Sequence, residues 1–275
     1  VASASGQGDQ QLALHIADMT LQSSSKLLRQ NWSSQPMATV PYDISLIQAN
    51  VDPNRLTAAL QRRPSGTFLF FGPPGTGKSA LARHIAHAVG QPLMAKKTSD
   101  LISKWVGESE RNIADLFHQA HQQQAVLLLD EADSFLTDRR QAAHSWEVTM
   151  VNEMLTQIES FTGIFIATTN LVDTLDQASL RRFSLKIRFD WLSPDQSWNL
   201  FQRELTRMGG NADHAPLWER RVRQLRQLTP GDFAVVARQA DLWGESMTAD
   251  TLYHALLQEC QAKAVMIEKI GFTTC

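Results

Sequence analysis

Cysteine is nearly absent from this sequence, with two residues among 275. Cys260 and Cys275 stand alone, and neither the C-x-x-C spacing of a zinc site nor the even set of a disulfide framework is present. Nothing in the chain therefore indicates disulfides or zinc. We expect the protein in a reducing cytoplasm, where isolated thiols of this kind persist.

Long apolar runs are missing as well. No stretch approaches the ~18 to 20 residues that a membrane span needs, and no secretory hydrophobic segment opens the chain. We therefore expect no membrane span. The net charge of −2 and the pI near 6.5 also provide no overall positive field. This balance argues against nonspecific DNA binding as the main task, while a local basic loop or pore is compatible with it.

The amino end of the chain carries few structural signals. It begins with Val1 and a polar segment, which is compatible with a processed or shortened end. Residues 12–31 fit one amphipathic helix interrupted by three serines, and residues 32–41 are typical of a linker. We interpret residues 1–40 as the helical remnant and linker of a larger amino-terminal region.

The strongest signal is a buried-strand pattern that runs into a phosphate-binding loop, GPPGTGKSA, at residues 72–80. Its glycines let backbone N–H groups converge on phosphates, while Lys78 reaches the β- and γ-oxygens and the Ser79 hydroxyl ligates Mg²⁺. The helix that begins at Lys78 points its positive end at the same anion. We therefore expect a nucleoside triphosphate and Mg²⁺ here. The predicted contacts are Gly72, Pro73, Pro74, Gly75, Thr76, Gly77, Lys78, Ser79 and Ala80.

A second buried strand ends in two acidic residues. The run AVLLL at residues 125–129 is followed by Asp130 and Glu131. At the carboxyl end of a strand, Asp130 is expected to hold Mg²⁺ through its water shell, and Glu131 to polarise the attacking water. The other interpretation, an acidic helix start, explains Asp133 better than it explains this pair.

Strand and helix patterns alternate between residues 67 and 189, which is typical of helices packed on both faces of a mostly parallel sheet. The predicted strands cover residues 67–71, 92–97, 126–130, 164–169 and 185–189, and the predicted helices 78–89, 108–122, 146–161 and 177–182. After Pro194 only helical periodicity remains, over 194–208, 215–228, 231–244 and 248–269. We therefore predict an α/β fold with a doubly wound parallel sheet of five strands over residues 41–191, followed by a small all-helical lid domain over 192–275.

In this order the motifs resemble those of the AAA family of ring ATPases, within the AAA+ superfamily, over roughly residues 42–270. The segment SDLISKWVGESE, residues 99–110, is similar to the first pore loop of the katanin and spastin branch, in which an aromatic residue faces the central channel. Here that residue is Trp105, between Lys104 and Val106. The resemblance implies a hexamer, of the bacterial single-ring type, that pulls polypeptide through its pore as ATP is hydrolysed. By its residues alone, Trp105 is either exposed for contact or folded into the core.

Two further segments resemble catalytic parts of the family. Asn170, after the strand 164–169, resembles the sensor that orients the hydrolytic water, although an Asn there is also a common turn former. Residues 175–183, LDQASLRRF, resemble the end of the second homology region, which supplies arginine fingers to the neighbouring subunit. The family's R-P-G-R-F-D-R pattern is shortened here, so that Leu185 stands at the second finger position. The resemblance implies Arg182 as the finger and Arg181 as its helper, while a plain surface role for Arg181 stays open.

The resemblance also extends to the rim of the site. Residues 229–233, TPGDF, stand where the family has its second sensor. The resemblance implies that Gly231, with Asp232 beside it, lets a lid helix approach the nucleotide. A simple helix cap is the alternative. Asp43 and Ile44 occupy the usual adenine-contact region but lack the family's Gly-Gly. Residues 139–140 and 144–146 fall near a second pore loop, or in an ordinary exposed loop.

We therefore predict an ATP-hydrolysing ring ATPase that remodels, unfolds or disassembles protein substrates by threading them through a pore. The alternative is a nucleic-acid-directed ATPase such as a clamp loader, a replication initiator or a transposition helper. Those relatives generally lack a K-W-V-G loop, and the lid shows neither a DNA-binding motif nor a basic stripe. A degenerate ATP-binding scaffold is disfavoured because Lys78, Asp130, Glu131 and Asn170 are all present.

Overall fold

The computed structural model describes residues 43–103, 107–136, 145–171, 177–211, 215–244 and 247–270. These residues belong to one unit of the chain, Val40–Cys275. The helix predicted over residues 12–31 lies outside the described residues, as does the whole of the predicted region 1–40. Within the described ranges, no helix is long and apolar enough to cross a membrane.

Among the described residues, five strands form one parallel sheet. They are β1 (Gly66–Phe71), β2 (Leu93–Lys97), β3 (Val126–Asp130), β4 (Ile164–Thr169) and β5 (Leu185–Arg188). Their order is β2-β3-β4-β1-β5, so β1 and β4 are neighbours although they are far apart in the sequence. The predicted fold class is confirmed, and the predicted strand ends differ from those observed by one residue at most.

The three central strands, β1, β3 and β4, are largely apolar and buried because both faces of the sheet are covered there. In β3, Leu127 and Leu129 pack into one hydrophobic cluster, whereas Val126 and Leu128 pack into another. This alternation follows from strand geometry, in which successive side chains point to opposite faces. The uninterrupted apolar run therefore indicates a central strand with a core on each side.

The helices that precede or connect the strands were predicted in part. They are α1 (Pro53–Arg62), α2 (Lys78–Val89), α3 (Glu108–Gln122), α4 (Asp133–Leu136), α5 (Ser145–Ser160) and α6 (Gln177–Leu180). The sequence analysis missed α1 and the short α4. The start of α1 does carry a signal, since the Asp52 carboxylate accepts a hydrogen bond from the N–H of Asn54 at 2.9 Å and Pro53 takes the first helical position.

Four helices in the described part of the chain form the lid after the sheet. They are α7 (Pro194–Arg207), α8 (Ala215–Gln224), α9 (Pro230–Trp243) and α10 (Ala249–Ile270). Their apolar faces enclose a third cluster with Trp198, Phe201 and Phe233. Helix α8 was predicted to reach residue 228 but ends at Gln224. The chain turns there and brings Leu228 to the segment between β5 and α7, where the Leu228 carbonyl oxygen accepts a hydrogen bond from the N–H of Leu192 at 2.8 Å.

Burial in β3 gives a direct test of this fold. Leu127 is fully buried, whereas Leu242 on α9 is 76% exposed. We expect Leu127→Ala to lower the free energy of unfolding by ~2 to 5 kcal/mol, because it removes apolar contacts and leaves a cavity. Leu242→Ala deletes the same atoms from the surface and should change it by less than about 0.5 kcal/mol. Urea titrations followed by circular dichroism measure both values, and equal losses would contradict the described burial.

Candidate functional site

The phosphate loop connects β1 to α2 and leaves the sheet at its carboxyl edge. Its glycines Gly72, Gly75 and Gly77 have φ angles of +135°, +79° and +96°, which residues with a Cβ rarely adopt. A Cβ at Gly72 would also lie 2.2 Å from the carbonyl oxygen of Phe189. Gly77, the residue before α2, offers no side-chain cap, so the N–H groups of the first turn are oriented to receive an anion.

A cavity of about 310 Å³ opens beside this loop. It brings together residues that the sequence analysis found in three separate motifs. The predicted residues that line it are Pro74, Gly75, Gly77, Lys78, Ser79, Ala80, Asp130, Glu131 and Asn170. Thr168 and Thr169 complete the lining, and the sequence analysis missed both. Gly72, Pro73 and Thr76 shape the loop instead, and the Thr76 hydroxyl donates to the carbonyl oxygen of Pro73 at 2.8 Å.

Lys78 is a buried cation in this cavity, with 7% of its surface exposed. Its ammonium donates to the carbonyl oxygens of Gly72 (2.7 Å) and Pro73 (2.8 Å) and to Oδ1 of Asn170 (2.9 Å). Burial lowers the pKa of Lys78 to about 8, against the attraction of Asp130 and Asp133, which raises it. The geometry therefore joins the predicted phosphate ligand and the predicted sensor in one cluster.

Ser79 and Asp130 form an oxygen-rich pair next to Lys78. The Ser79 Oγ lies 2.9 and 3.0 Å from the two carboxylate oxygens of Asp130, and the Thr168 hydroxyl donates to the same carboxylate. Such oxygens are the ligands that Mg²⁺ prefers. Within the described residues, no three His, Cys, Asp or Glu side chains are grouped closely enough to hold a metal. A Mg²⁺ ion at this pair would therefore take its remaining ligands from phosphate and water.

Glu131 has an uncommon backbone conformation at the cavity, with φ at +58°. The Thr98 hydroxyl donates to its carbonyl oxygen at 2.8 Å, and its own N–H donates to Oγ1 of Thr168 at 3.2 Å. Its carboxylate forms an ion pair with Lys97, with Nζ 3.1 Å from Oε1. Glu131 raises the pKa of Lys97, mainly through this hydrogen bond and secondly through its negative charge. The sequence analysis missed Lys97 because only the pairing of β2 with β3 places it beside the acidic residues.

The start of the lid helix α9 contacts the phosphate loop directly. The N–H of Gly231 donates to the carbonyl oxygen of Gly75 at 3.0 Å, and a Cβ at Gly231 would lie 2.8 Å from the Cα of Gly75. A glycine is therefore required for this approach. Asp232 does not line the cavity, since its carboxylate accepts hydrogen bonds from the N–H and the hydroxyl of Thr229, as in a helix cap.

Asp43 contacts the lid rather than the cavity. Its carboxylate accepts hydrogen bonds from the N–H of Ser45 at 2.9 Å and from Arg203 on α7 at 2.6 Å. These two partners, Ser45 first, hold the pKa of Asp43 below its usual value. Ile44 packs against the sheet cluster, and the side chain near the loop is Ile47, whose Cγ1 lies 3.8 Å from the Cβ position of Gly77. An adenine contact by Asp43 or Ile44 stays a prediction.

Arg181 and Arg182 are exposed and do not line the cavity of their own chain. Arg182 follows the short α6, and its Nε lies 2.7 Å from Oε1 of Glu159 on α5. The Thr67 hydroxyl donates to the backbone carbonyl of Arg182 at 3.0 Å, which anchors this turn to β1. The guanidinium is thus presented at the surface of the sheet domain.

The predicted pore residues Lys104, Trp105 and Val106 lie outside the described residues, as do Arg139, Arg140 and His144 of the second candidate loop. What the structure does describe is the stem of the first loop. The strand β2 ends at Lys97, a 3-10 turn covers Thr98–Asp100, and α3 begins at Glu108. The stem therefore starts beside Glu131.

Several arginines lie together on one helix of the lid. Helix α8 carries Arg220, Arg221 and Arg223. The Arg221 guanidinium lies 5.1 Å from the ring centroid of Trp218, a cation–π contact. Arg223 is neutralised by Asp195 at 2.5 Å and by Glu219 at 2.9 Å.

Comparisons with known proteins agree with this geometry. Residues 68–191 match the model of the ATPase family associated with various cellular activities, AAA. Spastin of Drosophila erecta and Spastin of Drosophila melanogaster are each 29% identical to this chain over 246 residues, which cover 85% of the chain. The alignment covers 32% of each relative, so the chain spans about a third of their length. These relatives do not bear on the expected bacterial source.

A solved structure supports the fold. The FIGL-1 AAA domain, crystallised in complex with ADP, superposes with a TM-score of 0.55 at 24% sequence identity. The superposition covers 77% of this chain and 80% of that domain. Such a likeness establishes the arrangement of sheet and lid.

The lowered pKa of Lys78 predicts how nucleotide affinity depends on pH. With a pKa of about 8, Lys78 loses its charge above pH 8 in the unbound protein, while a bound phosphate favours the ammonium. Binding must then take up a proton, so the affinity for ADP should be constant below about pH 7 and fall by up to about ten-fold per pH unit above pH 8. Calorimetric titrations with EDTA present measure this.

Adenosine is the control for that titration, because it carries no phosphate. Its affinity should not follow the same curve. An ADP affinity that stays constant from pH 7 to 9.5 would contradict the assignment of Lys78 as the phosphate-binding cation.

Proposed function

Because residues 68–191 of this chain match the AAA family of ATPases, we propose that it uses ATP hydrolysis to remodel, unfold or disassemble protein substrates. It would act as a homohexameric ring that threads the substrate chain through a central pore. Members of the family are typically oligomeric, which supports the ring. The cytoplasm is the compartment we expect for it.

The observation that carries this proposal is the short link between the nucleotide cavity and the stem of the candidate pore loop. Lys97 at the end of β2 pairs with the Glu131 carboxylate, and Thr98 in the following turn donates to the Glu131 carbonyl at 2.8 Å. The chain then continues to Trp105. A rearrangement at Glu131 would therefore pull on the residues that we expect to grip the substrate.

The residues of the cavity fit an ATP-hydrolysing site. Ser79 and Asp130 would hold Mg²⁺, which when bound neutralises charge on the phosphate oxygens. Lys78, with N–H groups directed at backbone and Asn170 oxygens, can exchange those acceptors for phosphate oxygens. Glu131 carries its carboxylate at the cavity and would accept the proton of the attacking water. Asn170 would orient that water.

The exposed guanidinium of Arg182 supports a site shared between subunits. It is half-exposed, it pairs with Glu159, and it does not line its own cavity. A finger placed there would reach the γ-phosphate of a neighbouring subunit, where a positive charge stabilises the transition state. Arg181 would assist it from the adjacent position.

A nucleic-acid-directed ATPase is the alternative, and the exposed arginines of α8 are the observation in its favour. Arg221 beside Trp218 combines a charge for phosphates with a ring on which a base can stack. That alternative requires ATP hydrolysis to be stimulated by single-stranded DNA or RNA, and the stimulation to fall steeply with salt. Stimulation by an unfolded polypeptide in place of nucleic acid would favour the remodeller.

Trapping the substrate tests the remodeller. Glu131→Gln should bind ATP and hydrolyse it ~10² to 10⁴ times more slowly, because the base is lost while Lys78, Ser79 and Asp130 are unchanged. With ATP, this variant should retain an unfolded polypeptide through gel filtration. Adding Trp105→Ala should abolish the retention, since the grip in the pore is removed. Adding Trp243→Ala, which alters a tryptophan that is 72% exposed on the lid, should leave it intact. If Trp105→Ala unfolds the protein, Trp105 belongs to the core and the pore assignment fails.

Mixing subunits tests the role of Arg182 between subunits. Arg182→Ala should bind ATP normally and hydrolyse it roughly 10²- to 10³-fold more slowly, because a transition-state contact from the neighbour is lost. Mixing it with inactive Lys78→Ala subunits should restore part of the activity, at interfaces that pair an intact cavity with an intact arginine. Arg62→Ala, an exposed arginine at the end of α1, is the matched control and should hydrolyse ATP at the wild-type rate. Full activity of Arg182→Ala alone would rule out the finger.

A further inference from the structure

A buried carboxylate in the lid is paired with a lysine from the last helix. Asp232, at the start of α9, is 5% exposed. Its Oδ2 accepts hydrogen bonds from the N–H of Thr229 (2.8 Å), from the hydroxyl of Thr229 (2.9 Å) and from Nζ of Lys263 on α10 (2.5 Å). A carboxylate buried to this degree needs such a partner, because an unpaired charge is costly away from water.

The Lys263 ammonium also contacts the two segments that lead into the lid. It donates to the carbonyl oxygen of Gln227 at 3.1 Å, in the loop before α9. It lies 5.1 Å from the ring centroid of Trp191, in the linker between β5 and α7, which is a cation–π distance. One side chain thus joins α10 to the linker, to the loop and to the start of α9.

These contacts surround the point where the lid touches the phosphate loop. Gly231, next to Asp232, donates to the Gly75 carbonyl at 3.0 Å. Thr229 Oγ1, which Asp232 holds in place, lies 2.7 Å from the Cβ position of Gly75. Because the start of α9 and the phosphate loop are in direct contact at these distances, a small movement of the start of α9 must change the shape of the phosphate loop.

We propose that Lys263 is a positioning residue of the nucleotide site, which holds the linker and the start of α9 so that Gly231 stays against the phosphate loop. The inference rests on the proposed function in one respect, that the cavity beside this loop binds the nucleotide. The last helix then takes part in nucleotide binding without touching the cavity. A purely structural role for Lys263, as the partner of a buried charge, makes a different prediction.

A double variant separates these two roles. Lys263→Met leaves the Asp232 charge buried without its partner, so it should lower the thermal midpoint as well as the nucleotide affinity. Asp232→Asn combined with Lys263→Met removes both charges, while the Asn oxygen can still accept from Thr229. In this double variant the thermal midpoint should recover toward the wild-type value. The affinity should not recover, because the contacts with Gln227 and Trp191 are still missing.

The experiment measures the thermal midpoint and the affinity for a fluorescent ADP analogue for each variant of the full chain. Lys263→Met and the double variant should both bind the analogue about ten-fold more weakly than the wild type, the scale of a typical coupling between sites. Lys263→Arg keeps the charge and stacks on aromatic rings, so it should restore both readouts. Arg223→Met is the matched control, because its guanidinium pairs with Asp195 and Glu219 within the lid, and it should leave the affinity unchanged.

Three results would overturn the proposal. A double variant that recovers both the midpoint and the affinity would show that Lys263 only neutralises Asp232. Wild-type affinity in Lys263→Met would show that the lysine does not position the site. A wild-type protein that fails to bind the analogue would refute the proposed nucleotide site, and the inference with it. Should Lys263→Met not fold, the double variant, which buries no unpaired charge, decides between the two roles.

Discussion

The parallel pairing of β1, β3 and β4 is the constraint on which the nucleotide cavity depends. Parallel strands end at the same edge of a sheet, and here those ends carry the phosphate loop, the two acidic residues and Asn170. The register places Phe71 opposite Thr169, which brings the residues that follow, Lys78 and Asn170, within hydrogen-bond distance. A slip of one residue would separate these groups and reverse the faces of the strand.

Each charged side chain in or beside the cavity is paired with protein groups, which a bound nucleotide would have to replace. The Lys78 ammonium is satisfied by two carbonyl oxygens and Asn170, Asp130 by two hydroxyls, and Glu131 by Lys97. A phosphate that binds Lys78 must replace those acceptors, and a Glu131 that acts as a base must loosen its pair with Lys97. The proposed roles of Lys78 and Glu131 would therefore require rearrangements at the ends of two strands, β2 and β4, which lead to the stem of the candidate pore loop and to Asn170.

The lid contacts the phosphate loop through closely packed backbone as well as through side chains. A Cβ at Gly231 would lie 2.8 Å from the Cα of Gly75, and a Cβ at Gly75 would lie 2.7 Å from Oγ1 of Thr229, so this contact leaves no room for a side chain at Gly231. Such a contact transmits small displacements, because packed backbone cannot be compressed. The position of the lid is in turn set by buried polar contacts around Asp232 and by the linker, so the C-terminal helix and the nucleotide cavity are mechanically connected.

The fold class, the five strands and the phosphate loop could be predicted from the sequence alone, because each depends on residues close together in the chain. Asp130 and Asn170 could also be predicted, since each follows its own buried strand. Thr168, Lys97 and Lys263 could not, because their partners lie 38, 34 and 31 residues away and only strand pairing or helix packing brings them together. The contacts of Asp43 and Asp232 depend on packing in the folded chain, which places Arg203 beside Asp43 and places Thr229 and Lys263 beside Asp232.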